Sequence, residues 1–392
     1  MVAGNDACTV LSLNSGSSSL KLGLYSFQNG TPVKVVWGEA EELGSSDGRV
    51  WLHGALELAS TDSRHTSSAG EAAQYFIEKL QNSSAPQPQA IGHRIVHGGP
   101  QLREHQRITP EVLVLLEEAI RFAPLHLPSA LSVLHRAISG FPDVSQVACF
   151  DTAFHRTIPE FAARLPFGRK FFERGLQRYG FHGLSCESIV RTLGDQLAPR
   201  TIVAHLGNGC SITAIETGMS AETTMGLTPT GGVIMGTRTG DLDPGVLVTL
   251  LRSGYGADQL DSLVNHHSGL LGVSGVSNDM RQLLEARDKN PEARLAIEMF
   301  CYSIRKSIGA MAAVLGGIDM LVFTGGIGEH SAVVRHQICS RLKHLGILLD
   351  EAANDRNANT FGAESGNCDL RIIPADEDLE IALHTQRLSI AA

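Results

Sequence analysis

Between residues 10 and 20 the chain reads Val10-Leu11-Ser12-Leu13-Asn14-Ser15-Gly16-Ser17-Ser18-Ser19-Leu20. A second stretch reads Ile202-Val203-Ala204-His205-Leu206-Gly207-Asn208-Gly209-Cys210-Ser211-Ile212. In each stretch an apolar run, predicted as a strand, leads through a turn of small residues into a second apolar run. The similarity suggests a duplicated fold with one such hairpin in each half. Because the match is short, a chance similarity is the alternative.

The turn of the first hairpin has the composition of a phosphate-binding loop. Gly16 lets the backbone approach an anion, and serine hydroxyls and backbone N–H groups donate hydrogen bonds to phosphate oxygens. Lys21 adds a positive charge close by. Taken alone, a serine-rich hairpin is more often a plain polar turn. The sequence has no GxxxxGK followed by serine or threonine, which excludes a Walker-type nucleotide site.

Length and composition indicate a two-domain soluble protein of a reducing compartment. The 392 residues exceed the roughly 250 to 300 at which one hydrophobic core stops growing. The seven cysteines include no CxxC pair, so we predict no disulfide framework or zinc ribbon and expect a cytoplasmic location. The first residues lack the basic region of a secretory signal, so we expect no export. A net charge of -9 without a long charged run argues against a nucleic-acid partner.

One segment resembles a membrane span in length. Residues 307–326 are almost uncharged, but Gly316 and Gly317 interrupt them. We therefore predict a helix that ends at these glycines, followed by a buried strand at 320–323, and no membrane association.

Other segments are assigned from their apolar pattern. Pro110 is predicted to open an amphipathic helix over residues 111–122. Residues 60–90 are polar, contain one helical segment at 72–80, and are predicted to lie at the surface. Residues 225–245 hold six glycines and two prolines and are predicted to form a long functional loop.

Polar residues follow several of the predicted strands. The strand at 144–150 is followed by Asp151, and the strand at 201–204 is followed by His205. Residues 324–330 form a glycine turn between a strand and a helix, an arrangement that can hold a nucleotide. Such positions are frequently functional in α/β folds.

Several isolated ionisable residues can each be interpreted in two ways. Arg94 lies among apolar residues, so it binds either a substrate anion or a structural carboxylate. His182, between an aromatic residue and a glycine, is by itself better explained as a packed side chain. Residues 376–378 place three carboxylates at a helix start, where capping or magnesium coordination accounts for them. His93 and His97 lack the glutamate of HExxH, which argues against zinc.

In combination these motifs resemble the acetate kinase family, acyl kinases of the superfamily of sugar kinases, heat-shock chaperones and actin. The similarity runs nearly end to end. It is carried by NSGSSSLK (14–21), GHRIVHGG (92–99), APLH (123–126), FDTAFH (150–155), YGFHG (179–183), HLGNG (205–209), MGTRTGD (235–241) and GIGE (326–329).

The resemblance implies a fold and an activity. The fold would be the duplicated actin-like, ribonuclease H-like α/β fold, with one domain of residues 1–151 plus a C-terminal helix, 378–392, and a second, nucleotide-binding domain of residues 152–377. The activity would be reversible, direct in-line transfer of the ATP γ-phosphoryl group to acetate, giving acetyl phosphate and ADP. It implies Mg²⁺, or Mn²⁺ in its place, and a homodimer. Propionate or butyrate kinase, or an actin-fold ATPase without acyl transfer, are the alternatives.

The resemblance also implies a role for each matching residue. The catalytic residues would be Asp151, His182 and Arg238. The small carboxylate would be bound by Arg94, Val96, Leu125, Phe181 and Pro229. The nucleotide would be bound by Lys21, His205, Leu206, Gly207, Asn208, Gly209, Asp279, Met280, Arg281, Gly326, Ile327, Gly328, Glu329 and His330. The metal would be bound by Asn14 and Glu377.

Elementary chemistry is consistent with this assignment. A carboxylic acid with a pKa near ~4.3 is already ionised at pH 7, so the reaction needs no general base. Asp151 is therefore assigned to orienting Arg238 or magnesium and its waters. Departures from the family pattern at Leu127, Leu184, Cys186 and His330 leave the catalytic charges in place but leave substrate preference open.

Overall fold

The computed structural model describes residues 8–16, 19–41, 43, 48–54, 60–62 and 66–390. Ser17 and Ser18 of the serine-rich turn lie outside the described residues. The chain divides into two compact units, which we call unit 1 (residues 1–153 and 376–392) and unit 2 (residues 154–375). Among the described residues, no helix combines the length and apolarity needed to cross a membrane.

Each unit is built on one mixed sheet. The strands of unit 1 are β1 (Cys8–Ser15), β2 (Leu20–Gln28), β3 (Thr31–Glu41), β4 (Arg49–Gly54), β5 (Ser60–Asp62), β6 (Ala90–Ile95), β7 (Gln106–Arg107) and β8 (Ser145–Phe150). The strands of unit 2 are β9 (Arg200–Leu206), β10 (Cys210–Glu216), β11 (Met219–Thr223), β12 (Met320–Thr324) and β13 (Asp369–Ile372). Their spatial orders are β5-β4-β3-β2-β1-β6-β8-β7 and β11-β10-β9-β12-β13.

Helices flank both sheets. Those of unit 1 are α1 (Ala69–Gln81), α2 (Pro110–Glu118), α3 (Leu127–Gly140) and the C-terminal α15 (Glu377–Ile390). Those of unit 2 are α4 (Glu160–Ala163), α5 (Arg169–Glu173), α6 (Gly183–Leu193), α7 (Pro244–Arg252), α8 (Ala257–His266), α9 (Gly269–Ser274), α10 (Met280–Ala286), α11 (Pro291–Val314), α12 (Gly325–His330), α13 (Ala332–Cys339) and α14 (Glu351–Asp355).

Five strands of the unit 1 sheet have the same topology as the five strands of the unit 2 sheet. In unit 1, β1, β2 and β3 are antiparallel neighbours, while β1, β6 and β8 run parallel. In unit 2, β9, β10 and β11 are antiparallel, while β9, β12 and β13 run parallel. The predicted hairpins, β1–β2 and β9–β10, therefore occupy equivalent places in the two sheets. The predicted duplicated α/β fold is confirmed.

Side-chain alternation along β1 explains how helices cover both faces of the unit 1 sheet. Leu11 and Leu13 point into a core that includes residues of α1 and α3, whereas Val10 packs with Ala382 of α15. Successive residues of a strand face opposite sides, so α15 lies on the face opposite α1 and α3. The helix α15 packs against β1, β6 and β8.

A glycine on β6 allows α15 to approach the sheet closely. A Cβ atom at Gly92 would lie 2.1 Å from Thr385 Oγ1 and 2.6 Å from Ile381 Cγ2. Real Cβ atoms do not approach heavy atoms so closely, so a larger residue would displace the helix. The position of the α15 N-terminus, where Glu377 lies, thus depends on a glycine that sequence reasoning did not single out.

Most of the predicted elements are present, with three differences. The surface location predicted for residues 60–90 is wrong for α1, whose Phe76, Ile77 and Leu80 are buried in the unit 1 core. The polar composition concealed an apolar stripe at helical spacing. The helix predicted at 111–122 ends at Glu118 and continues as a 3₁₀ turn. The glycine turn predicted at 324–330 is itself the short helix α12.

Candidate active site

In unit 1, three parallel strands bring polar residues to one edge of the sheet. Asn14 and Ser15 end β1, Arg94 lies next to the end of β6, and Asp151 directly follows β8. Because β1, β6 and β8 are parallel, their carboxyl ends lie at the same edge. The sheet topology therefore assembles residues that are far apart in the sequence.

Arg94 and Asp151 form a buried ion pair at this edge. Arg94 Nη2 lies 2.5 Å from Asp151 Oδ2, and Nη1 donates to the carbonyl oxygen of Ser15 at 2.8 Å. The side chains are only 15% and 1% exposed. Burial alone would lower the pKa of Arg94, but the carboxylates of Asp151 and Glu377 outweigh it and raise that pKa. The guanidinium is therefore permanently charged and fixed in orientation.

Each partner of this ion pair keeps one polar atom without a hydrogen bond. Among the described residues, Arg94 Nε and Asp151 Oδ1 are buried and have no partner. A buried polar group without a partner is costly, so such atoms commonly mark a place where a ligand or an ion binds. The pair can thus bind further groups while staying intact.

An acidic cluster adjoins the ion pair. Asn14 Nδ2 donates to Glu377 Oε2 and to Asp378 Oδ1, both at 3.1 Å. Burial raises the pKa of Glu377, and the charges of Asp151 and Asp378 act in the same direction. Lys34 Nζ lies 3.5 Å from Asp378 Oδ2. Several carboxylate oxygens together are the ligands that a hard divalent cation prefers, so these residues fit Mg²⁺.

In unit 2, His182 is held in a conformation that few non-glycine residues adopt. Its φ angle is 60°, in the left-handed region, at the start of α6. Its ring stacks on that of His205, with centroids 4.1 Å apart, and its Nδ1 lies 2.9 Å from the hydroxyl of Ser211. His205 Nδ1 in turn lies 2.8 Å from the hydroxyl of Ser185. Backbone strain of this kind is typical of functional positions.

Arg238 and His182 converge on the turn after β9. Arg238 Nη1 donates to the carbonyl oxygen of Pro229 at 3.1 Å. A Cβ atom at Gly209 would lie 3.3 Å from His182 Nε2 and 3.4 Å from Arg238 Nη1. A glycine at this position therefore leaves room between the two side chains. The structure brings together three residues that the sequence placed in separate motifs.

A cavity of about 620 Å³ lies beside this turn, within unit 2. Its size falls in the range of small-molecule sites. The predicted nucleotide residues that line it are Gly207, Asn208, Asp279, Met280, Arg281, Gly326, Ile327 and His330. The lining residues that sequence reasoning missed are Asn278, Leu284 and Ser331.

The remaining predicted nucleotide residues do not line the cavity. His205 and Leu206 belong to β9, and Gly328 and Glu329 face the interior side of α12 through their hydrogen bonds. Lys21 lies in unit 1, where its ammonium group is 3.6 Å from Glu39 Oε1. A nucleotide role for these residues stays a prediction.

The predicted acyl-chain residues are divided between the units. Val96 of unit 1 is buried, and Leu125 is 41% exposed. Phe181 of unit 2 is buried, and Pro229 accepts the hydrogen bond from Arg238. Their role in binding an acyl chain stays a prediction.

Sequence reasoning missed two residues that hold predicted site residues. The sequence predicts capping or magnesium coordination for residues 376–378 but not that Asp378 shares the amide of Asn14 with Glu377. Ser211 was quoted as part of the second hairpin, but its contact with His182 depends on the pairing of β9 with β10. No local sequence signal identifies either contact.

A duplicated α/β fold with a cavity of nucleotide size in one half is typical of the actin-like superfamily. The fold places the chain in this superfamily, as the sequence predicted.

The chain belongs to the acetokinase family. A family model described as "Acetokinase family" matches residues 9–383. An acetate kinase of Ectopseudomonas mendocina is 41% identical over 400 residues, covering 97% of this chain and 99% of the relative. A propionate kinase of Citrobacter rodentium is 40% identical over 394 residues, covering 97% of each chain. The crystal structure of Porphyromonas gingivalis acetate kinase superposes with a TM-score of 0.86 at 35% identity, covering 98% of this chain and 100% of that chain.

Proposed function

We propose that the protein is an acetate kinase, which transfers the γ-phosphoryl group of ATP to acetate and gives acetyl phosphate and ADP. The observation that carries the proposal is the largely buried Arg94 of unit 1, oriented by Asp151 and Ser15, in a chain of the acetokinase family. A planar guanidinium with a fixed orientation suits a carboxylate ligand.

The acceptor carboxylate needs no base, so the chemical problem is the approach of two anions. We assign acetate to Arg94, whose positive charge offsets that of the acceptor oxygen. Asp151 keeps Arg94 in place, a role that differs from the first of the two roles predicted for it, the orientation of Arg238 or of magnesium and its waters. In unit 2, His182 and Arg238 would donate hydrogen bonds to the oxygens of the transferred phosphoryl group. The hydrogen bond between Ser211 and Nδ1 would fix the ring of His182, so that Nε2 is the nitrogen that donates to the phosphoryl group.

We assign Mg²⁺ to the acidic cluster of unit 1. Glu377 and Asp151 Oδ1 would be ligands, and Asn14 would bind the ion or hold the carboxylates that do. When bound, the ion would neutralise phosphate charge. Asp378 would keep Glu377 in place through their shared hydrogen-bond donor, and Lys34 would limit the repulsion between the carboxylates. We assign the nucleotide to the cavity of unit 2.

The acceptor is expected to be acetate rather than a longer acid, although relatives of nearly equal identity carry the names acetate kinase and propionate kinase. Each additional methylene in a small apolar pocket changes the free energy by about 1 to 3 kcal/mol. We expect kcat/KM to fall about tenfold or more from acetate to butyrate, with propionate between them. Hydroxamate formation with ATP and Mg²⁺ measures all three rates. If butyrate is the best acceptor, the proposal is wrong. If propionate is preferred tenfold, the protein is a propionate kinase.

We also propose that the protein is a homodimer, as the family resemblance implies. The helix α7 contains no buried residue, although it is largely apolar, and Leu251 is 49% exposed. An exposed apolar helix commonly marks a protein interface. Light scattering should give twice the 41.9 kDa of one chain. Leu251→Asp should give monomers, while Val33→Asp, at an exposed valine of β3, should not; a monomeric wild-type protein would contradict this proposal.

The cytoplasmic location proposed from the sequence is consistent with the seven cysteines, all of which are free thiols. Fractionation of cells that produce the protein tests this location.

A further inference from the structure

The largest fully buried side chain of the described residues belongs to an arginine of unit 2. Arg335, on α13, has no exposed surface, and each of its five N–H groups has an acceptor. Nε donates to Asn354 Oδ1 at 2.9 Å, and Nη2 donates to the Asn354 carbonyl at 2.9 Å and to Asn357 Oδ1 at 2.6 Å. Nη1 donates to the carbonyls of Gly328 at 2.8 Å and Glu329 at 3.0 Å.

All five acceptors are neutral. Within the described residues Arg335 forms no ion pair, and its guanidinium carbon lies 5.4 Å from the centroid of the Phe361 ring. Burial lowers the pKa of Arg335 to about 10, so the group remains charged at neutral pH. A buried charge with no counter-ion in direct contact is expensive unless every donor is satisfied. So costly an arrangement at one position calls for a role beyond filling space.

The contacts of Arg335 join the end of α12 to α14. Gly328 and Glu329 are in the last turn of α12, where the carbonyl groups have no partner within the helix. Asn354 lies in α14, and Asn357, which follows it, has a φ angle of 54°. At the other end of α12, Glu329 Oε1 accepts from the N–H of Gly325 at 2.8 Å. Glu329 therefore caps the helix from within, whereas Arg335 joins its C-terminal end to α14.

The helix α12 forms one wall of the cavity. Gly326, Ile327 and His330 line it, whereas Gly328 lies on the buried side. A helix of six residues is not stable by itself, so its position must come from outside contacts. The helix packs on β9, β12 and α13, and the two hydrogen bonds from Arg335 Nη1 to the carbonyls of Gly328 and Glu329 fix its C-terminal end.

We propose that Arg335 is a positioning residue for nucleotide binding: it fixes α12, and through α12 the wall of the cavity that receives ADP and ATP. The inference rests on the proposed nucleotide role of this cavity. Lysine cannot replace arginine here, because one ammonium group lacks the planar fork that reaches α12 and α14 together.

The test compares Arg335→Lys with a matched control, Arg305→Lys. Arg305, on α11, also donates to the last carbonyls of a helix, those of Gln337 and Ile338 in α13, which do not line the cavity. Calorimetric titration with Mg·ADP should show about tenfold weaker binding for Arg335→Lys and an unchanged Kd for Arg305→Lys. In the hydroxamate assay, the KM for ATP should rise and the KM for acetate should not.

Equal ADP affinities of the wild type and Arg335→Lys, or equal losses in both lysine variants, would overturn the inference. Asn357→Gly serves if Arg335→Lys does not fold, since glycine tolerates the positive φ angle while one acceptor of Arg335 is removed. This variant should bind ADP a few-fold more weakly, and wild-type affinity would overturn the inference. A wild-type protein that binds no ADP would overturn the proposed function, whereas binding by all variants alike overturns the inference alone.

Discussion

Replacing Arg94 by alanine is expected to lower kcat/KM for acetate by a factor of about a thousand or more. The guanidinium is the cation that we assign to the acceptor carboxylate, and loss of one well-placed donor to a developing charge already costs about 10²- to 10³-fold. Arg94→Lys should be only partly active, because the charge remains but the bidentate geometry does not. Hydroxamate formation at saturating ATP measures both losses.

Arg94→Ala also affects stability, so its interpretation needs a control. Asp151 would be left buried without its partner, and breaking a buried ion pair costs about 3 to 5 kcal/mol. The affinity for ADP in the absence of Mg²⁺ should nevertheless be unchanged, because the proposed nucleotide cavity lies in unit 2. A folded variant that binds ADP and has lost acetate-dependent turnover would support the role of Arg94.

The same experiment separates the kinase from an ATPase of the same fold. An ATP-hydrolysing protein needs no group that binds a carboxylate, so acetate should not alter its turnover. If acetate has no effect on the wild type, and Arg94→Ala hydrolyses ATP as fast as the wild type, the kinase proposal fails. Fold alone would permit either function.

The strands of the site could be predicted from the sequence, but the contacts between them could not. An apolar run followed by a polar residue predicts that Asp151 ends a strand, and β8 confirms it. That Arg94 faces Asp151 follows from the parallel register of β6 and β8, in which Ile95 pairs with Phe150. Register depends on pairing over a long sequence separation, which local periodicity does not encode.

The contacts of the acidic cluster at the start of the C-terminal helix could likewise not be predicted from the local sequence. The sequence predicts that residues 376–378 start a helix, and α15 confirms it. The site requires α15 to bring Glu377 within 3.1 Å of Asn14, a residue more than 360 positions earlier in the chain. That approach depends on Gly92, Ile381 and Thr385 fitting together. Capping and metal binding look alike in the sequence because both place carboxylates at a helix start.

Glu377→Gln is expected to separate metal binding from folding. Glutamine has the size of glutamate and keeps a side-chain oxygen near Asn14. The fold and the contact between Asn14 and α15 should therefore persist. It lacks the negative charge, and hard divalent cations bind carboxylates more strongly than amides. We expect the Mg²⁺ concentration for half-maximal activity to rise about a hundredfold, since even indirect support of a metal ligand is worth about 10- to 100-fold in affinity.

The matched control for this substitution is Glu380→Gln. Glu380 is a second glutamate of α15, and its buried carboxylate lies 3.6 Å from His384 Nε2. Rates measured across a Mg²⁺ titration should therefore coincide for Glu380→Gln and the wild type. If both variants shift the titration equally, the effect arises from the packing of α15, and the assignment of Mg²⁺ to Glu377 is wrong. If only Glu377→Gln shifts the Mg²⁺ concentration for half-maximal activity, and its affinity for ADP without metal is unchanged, the nucleotide cavity is unaffected. That result would support a Mg²⁺ site in unit 1.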